Sequence, residues 1–347
     1  MASTLQSAAI PTSNPDSAAQ LSALLHAAAI APLDSAGWIR VTGEDRVRWL
    51  NGMVTNAIQT LTPGEGCYNL VLNAQGRIQG DLTAFLQPDA ILLETSRDQI
   101  PALLAHLDHF IIMDDVELAD ITAQRAGLLI AGPDALRTVS ELGGTPCSAP
   151  APVTQPPTGI DLKQTAYRGA PVDLIRAHSP LVPRFEIWSD PATMAQISDE
   201  LASVPTVSPE ALEHLRLLEG TPRYGTDIRN TATAHDLPQE TDQTRALHFS
   251  KGCYLGQEIV ERIRSRGNVH RTFTGFQLTG ALPAPGTTLT AEAKPVGELT
   301  SVVTIPLASG PVQLALGYIR REALERKLPL EYPGGTATPI ALPFALP

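Results

Sequence analysis

The chain has 347 residues, enough for two or three compact units, and its 43% hydrophobic and 18% charged residues exclude bulk disorder. A formal net charge of −11 argues against a direct nucleic-acid binder, because an acidic surface repels phosphate backbones. Three scattered cysteines, Cys67, Cys147 and Cys253, make neither a disulfide framework nor a CxxC zinc pair, and no apolar run is long enough to span a membrane. With no secretory or transit pattern at the start, the expectation is a cytoplasmic protein with residues 1–20 as a mobile tail.

In chain order, the first predicted element is a strand at residues 37–42, GWIRVT. Residues 44–58 follow as a helix, because Val47, Leu50 and Val54 recur at helical spacing. Residues 68–72 and 77–85 read as the two arms of a hairpin around the Asn73–Gly76 turn, with Asp81 in the second arm. A strand at 90–94 precedes an amphipathic helix over 98–113, then a strand at 126–131 and a helix at 133–142. The proline-rich stretch 143–159 reads as a linker or long loop. Strands at 171–176 and 184–189 lead to helices at 191–202 and 208–219, the latter with Ser208 as N-cap and Gly220 as stop. Residues 221–250 show no regular pattern, and such long irregular stretches are usually functional or disordered. From residue 271 short β-type runs recur between Gly and Pro, which predicts a barrel-like all-β unit over 269–347. The class is therefore α+β.

One segment concentrates chemistry: Lys251-Gly252-Cys253-Tyr254-Leu255-Gly256-Gln257-Glu258, continuing to Arg262 and Arg266-Gly267. Lys251 beside Cys253 would favour the reactive thiolate, and so would a helix starting near Gly256. The two glycines would let backbone approach a ligand closely. Arg262 and Arg266, four apart, would share a helix face able to clamp a carboxylate or phosphate. On residue chemistry alone, a packed cysteine and a solvated arginine face are the commoner outcomes. His106 and His109 lie three apart but lack a third ligand nearby in sequence, so no metal site is expected.

The octapeptide KGCYxGQE resembles the signature of the YgfZ family of folate-binding proteins, relatives of the T-protein (aminomethyltransferase) of the glycine cleavage system. Similarity extends to Arg262 and Arg266-Gly267, to Leu215-Arg216 with Gly220, Pro222-Arg223 and Gly225, and to Pro238, Glu240 and His248-Phe249-Ser250. Gly43, Trp49-Leu50 and Thr55-Asn56 resemble the family's opening. Asn73, Gly76-Arg77 and Asp81 resemble its hairpin, and Val296-Gly297-Glu298, Thr300-Ser301 and Gly317-Tyr318 its barrel.

The resemblance implies a GcvT-like ring: two ferredoxin-like α/β parts, intertwined over residues 21–268, and a C-terminal β-barrel, around a hole that holds tetrahydrofolate or a one-carbon derivative. It implies Asp81 near the folate nitrogens that carry one-carbon units and Tyr68 at a folate-contacting position, with Glu219, Tyr254, Gln257, Glu258 and Arg262 as further binding candidates. T-proteins read LRLEAG where this chain reads LRLLEG, so Glu219 is displaced by one residue, about 100° on a helix. It either reaches the site from the helix end or leaves the pterin contact altered. T-proteins also lack the octapeptide, so the resemblance points to the branch that supports assembly or repair of 4Fe–4S clusters in client enzymes, with an indirect link to tRNA modification. Cys253, Lys251 and Asp81 are the expected reactive residues. Cys253 is implied as a transient iron–sulfur contact, a redox thiol or a nucleophile, since one thiolate cannot hold a cluster alone. The implied partners are folate and iron–sulfur client or scaffold proteins. The alternatives are a folate-dependent aminomethyltransferase or demethylase, and a docking module that has lost folate.

Overall fold

A computed structural model describes residues 15–142, 160–231, 235–266 and 269–346. The first fourteen residues of the expected tail, the proline-rich stretch 143–159 with Cys147, and Gly267 lie outside the described residues. Residues 15–20, expected in the tail, instead open a helix, α1 (Pro15–His26), whose Leu21 and Leu24 are buried. The chain then runs β1 (Ala29–Pro32), β2 (Ala36–Thr42), α2 (Arg46–Met53), β3 (Glu65–Leu72), β4 (Ile78–Leu86), β5 (Ile91–Ser96), α3 (Ile100–Asp108), β6 (Glu117–Asp120), β7 (Ala126–Ala131) and α4 (Ala135–Glu141). It continues with β8 (Ile160–Tyr167), β9 (Ala170–Arg176), β10 (Arg184–Ser189), α5 (Pro191–Glu200), α6 (Pro209–Glu219) and α7 (Gln257–Arg266). The last part is β11 (Arg271–Gly280), β12 (Thr288–Ala291), β13 (Lys294–Leu307), β14 (Gly310–Arg320), α8 (Arg321–Glu325), β15 (Leu330–Tyr332) and β16 (Gly335–Ile340).

Two helices are shorter than their periodicity predicts. α2 stops at Met53 because Val54 turns extended and bridges Val71 of the hairpin. α3 stops at Asp108, which leaves Ile112 and Met113 exposed in the following loop. α6 has the predicted ends: the Ser208 hydroxyl accepts from Ala211 N–H at 3.3 Å, and Gly220 takes φ +70°, where a residue with a Cβ would be strained.

Ten strands form one sheet in the order β1-β7-β10-β9-β8-β3-β4-β5-β2-β6. Its two halves meet where β3 pairs β8 over only two residues, Glu65 with Asp161 and Gly66 with Ile160. β10 and β2 are six strands apart in that order, which in a flat sheet is about 29 Å. Yet Trp38 of β2 and Trp188 of β10 stack edge-on with centroids 5.1 Å apart, so the sheet folds back on itself and its two halves face one another. The first strand, β1, pairs with β7 in the second half, so the halves interlace in sequence. Strands β11-β14-β13-β12-β15-β16 close into a six-stranded barrel.

The irregular stretch after α6 holds the barrel to the sheet. Asp227, fully buried, accepts from Arg216 Nη1 (2.6 Å), Arg223 N–H (3.0 Å), Thr300 Oγ1 (2.5 Å) and Ser301 Oγ (2.7 Å). Asp236, also buried, accepts from Arg271 (2.8 Å) and from Arg229 N–H (2.6 Å). A loop with two such anchors needs no regular hydrogen-bond ladder to be ordered. No helix of the described residues is long and apolar enough to cross a membrane.

Candidate functional site

Between the facing halves of the sheet lies a cavity of about 340 Å3. Tyr68 stands opposite Thr83 and Thr83 opposite Glu94 across β3, β4 and β5; Asp81 lies two residues from Thr83 along its strand. Strand alternation therefore aims Tyr68, Asp81 and Glu94 at one face, the face that lines the cavity. Tyr68 donates its hydroxyl to Asp81 Oδ2 at 2.7 Å, and Gln99 Nε2 donates to Oδ1 at 2.8 Å. Asp81 N–H returns a bond to Gln99 Oε1 at 3.1 Å, so the carboxylate is fixed at both ends. Burial pushes the Asp81 carboxyl above its ordinary range, against the pull of the Gln99 and Tyr68 bonds and the Arg245 charge. Arg245 lies over the Tyr68 ring, 4.1 Å from its centroid, and among the described residues it has no carboxylate within ion-pair distance.

The facing wall comes from β10. Arg184 donates twice to Glu186 Oε1, at 2.7 and 3.1 Å, and Trp188 Nε1 donates to Oε2 at 3.3 Å. The Glu94 carboxyl, reaching over from the first half, is in hydrogen-bond contact with Glu186. Burial and the neighbouring Glu186 push Glu94 well above the ordinary carboxylate range. Burial acts to raise Glu186 too, but Arg184 and the bonds from Glu94 and Trp188 outweigh it and hold Glu186 below that range. Leu82, Phe85, Ile160 and Ile175 supply apolar lining, and Tyr224 closes one side. The barrel contributes none of the lining residues.

Tyr68 and Asp81 are thus together in the cavity, while the other expected residues lie outside its lining. Glu219 accepts from the Ser179 hydroxyl and the Leu181 N–H, close enough to feel Arg184 and Arg245 but turned from the lumen. Cys253 is exposed on the surface. The Lys251 ammonium is spent on three backbone carbonyls at and just past the end of α2, those of Asn51 (2.7 Å), Val54 (2.6 Å) and Asn56 (2.6 Å). Burial pulls Lys251 down to about 8, so at neutral pH it keeps the three N–H donors those carbonyls use. It is a strut rather than a promoter of the thiolate. α7 begins at Gln257, next to Gly256 where a helix start was expected and four residues past Cys253. Gly256, at φ +80°, admits the hairpin turn and not a ligand: a Cβ there would sit 2.5 Å from Asn73 O. Gln257 accepts from Tyr254 N–H through its side chain at 3.3 Å, and Arg262 pairs with Glu258 at 2.6 Å on an exposed face. The side chain of Arg266, the second arm of the expected clamp, lies outside the described residues, and among the described residues no cluster of ligating side chains could hold a metal.

The motif nonetheless backs onto the cavity. Tyr254 packs in one apolar cluster with Tyr68, Leu70, Ala246 and Val260. Thr55 Oγ1 donates to Ala246 O (2.7 Å) while accepting from Leu70 N–H (2.9 Å), and Asn56 Nδ2 donates to Arg245 O (2.8 Å) and Tyr68 O (3.1 Å). These two side chains tie the wall strand β3 to the segment that leads into the octapeptide.

The sequence reading did not single out Glu94, Glu186, Arg184, Gln99, Tyr224 or Arg245. A signal existed for the first two: each is the one acid of a largely buried strand, ILLETS and RFEIWS, where an unpaired charge would be costly.

Two interlaced sheet halves around a polar cavity, followed by a closed barrel, define a class of fold, and the sequence agrees with it. The pattern of the GCVT N-terminal domain matches residues 11–240, and that of the CAF17 C-terminal beta-barrel domain matches residues 271–346. The chain belongs to the GCVT N-terminal domain family. Among its relatives, a chloroplastic protein of Arabidopsis thaliana is 28% identical over 85% of this chain and 66% of its own length, so this chain spans just under two thirds of it. The mitochondrial iron-sulfur cluster assembly factor IBA57 homologue of Neurospora crassa is 27% identical over 70% of this chain and 52% of its own length. The tRNA-modifying protein YgfZ of Colwellia psychrerythraea is 26% identical over 73% of this chain and 72% of its own. The crystal structure of the glycine cleavage system aminomethyltransferase T from Bartonella henselae superposes with a TM-score of 0.78 at 20% identity, covering 95% of this chain and 89% of that one, which establishes the shared fold.

Proposed function

We propose that this protein binds a reduced folate in the cavity and serves the assembly or repair of 4Fe–4S clusters in client enzymes, with Cys253 as the surface thiol that meets client or scaffold. The observation that carries the folate half is the lining itself. A pterin edge rich in N–H donors suits acceptor carboxyls, an aryl ring suits apolar walls, and a glutamate tail suits a cation without a counter-ion. Asp81 with the Glu94–Glu186 pair, Phe85 with Ile175, and Arg245 supply these three in one cavity. The iron–sulfur half is supported by the octapeptide and by a relative that is itself named an assembly factor.

Calorimetric titration with tetrahydrofolate tests the first half. Wild type should give saturable heat, and Asp81→Ala should bind about tenfold more weakly, the cost of one lost hydrogen bond to a charged group. No heat from wild type would leave only a docking module. For the second half, Cys253→Ala should keep its circular dichroism spectrum and lose the ability to restore activity of an iron–sulfur client in cells. Normal client activity in that variant would contradict the role of the thiol.

A second reading, folate-dependent aminomethyl transfer, is favoured by one observation: Asp81 is fixed by Tyr68 and Gln99 with its pKa raised, as suits a proton relay beside a folate amine. It requires that an aminomethyl thioether and tetrahydrofolate yield methylenetetrahydrofolate, ammonia and free thiol, which a turnover assay decides.

A further inference from the structure

The Glu94–Glu186 contact has a direction. Glu186 is held at both oxygens: Oε1 takes both Arg184 bonds, Oε2 takes Trp188 Nε1, and its carboxyl also meets that of Glu94. It is also almost wholly buried, at 3% exposure, whereas Glu94 is only half-buried and opens onto the lumen. Two carboxyls at bonding distance in a low-dielectric site share a proton, because both cannot be ionised there. The cations fix where the proton lies. Arg184 binds Glu186 directly, while Arg125, the other guanidinium near Glu94, is committed to Asp173 at 2.6 Å. Negative charge therefore rests on Glu186 and the proton on Glu94.

We infer that Glu94 is a specificity-determining residue that meets the ligand as a neutral acid: its O–H is donated to Glu186, and its remaining oxygen accepts an N–H from the ligand edge. Glu186, Arg184 and Trp188 are positioning residues that hold this carboxyl. The site then selects an uncharged heterocycle edge bearing N–H donors, such as that of a 2-amino-4-oxopyrimidine ring, over a cationic amine, which would need a carboxylate. This rests on the folate reading for the identity of the ligand.

Substitution separates the possibilities, because Gln reproduces a neutral acid. In Glu94→Gln the amide N–H can donate to Glu186 while the amide oxygen accepts from the ligand. Titrated with tetrahydrofolate, Glu94→Gln should bind within about threefold of wild type, and Glu94→Ala should lose about tenfold or more. A loss in Glu94→Gln equal to that in Glu94→Ala would overturn the inference while leaving folate binding intact. Absence of wild-type binding would instead remove the folate reading. The proton has a readout that needs no ligand: wild type at neutral pH should show the infrared C=O stretch of a protonated carboxyl, absent in Glu94→Gln. A spectrum without that band in wild type refutes the neutral acid whatever the ligand.

Discussion

At the scale of single residues, the octapeptide divides its labour differently from what residue chemistry suggests. Lys251 next to Cys253 reads as an activator, but one ammonium bound to three carbonyls is a cross-brace between the motif and the end of α2. Lys251→Met should lower unfolding free energy by about 3 kcal/mol in urea titrations, since it leaves buried carbonyls unpaired. Lys251→Arg should not restore it, because a planar guanidinium cannot converge on three acceptors around one point. Unchanged stability in Lys251→Met together with lost client activity would return the ammonium to the thiol. Asp81 and Tyr68 were legible through the family resemblance, and the hairpin then sets both on one face. Glu94 and Glu186 were not, because their meeting depends on a sheet folding over itself across five strands, which no local pattern encodes.

At the scale of elements, the hairpin turn and the start of α7 are built around each other. A Cβ on Gly76 would lie 2.7 Å from Ile259 Cβ, and one on Gly256 would lie 2.5 Å from Asn73 O. Both residues also have positive φ, at +70° and +80°. Gly256→Ala should therefore cost about 2 kcal/mol and loosen the octapeptide from the hairpin. Faster amide exchange at residues 254–258 than in wild type would show it, and wild-type exchange rates in this variant would count against the packing argument. Most elements were foreseeable from periodicity. α1, β1, β6, β8, β12, α8, β15 and β16 were not: α1 starts inside the stretch read as a tail, β8 carries a run of exposed polar residues, and the others are three to six residues long, too short for a period to register. The ends of α2 and α3 were overrun because apolar residues past each helix continue its stripe while serving other contacts or none.

At the scale of the whole molecule, barrel and sheet are joined by polar anchors as well as by the apolar cluster that α1 and α6 share with β13 and β14. Asp227 takes Arg216 from α6 and Thr300 and Ser301 from β13, so one carboxylate bridges the two. Asp227→Ala should destabilise by about 3 kcal/mol, because it takes one carboxylate from a buried guanidinium, which keeps Glu213, and removes the acceptor of Arg223 N–H and the Ser301 hydroxyl. Limited proteolysis should then release a fragment beginning near residue 271, where wild type resists. An Asp227→Ala protein as protease-resistant as wild type would mean that apolar packing alone holds the barrel. The general α+β plan with its terminal barrel was readable from the order of β-rich and mixed segments. The joint was not, because it lies in the irregular stretch 221–250, where order comes from buried side-chain bonds that leave no periodic trace.

The two-rung ladder between β3 and β8 makes the cavity resemble a book with a short spine. Asp81 lies on one cover and Arg184 with Glu186 on the other, so a molecule gripped by both is itself a clasp. Tyr68 belongs to the same cover as the buried tyrosine of the octapeptide. The octapeptide is thus packed against the back of a cavity wall, and its exposed Cys253 stands on that same panel.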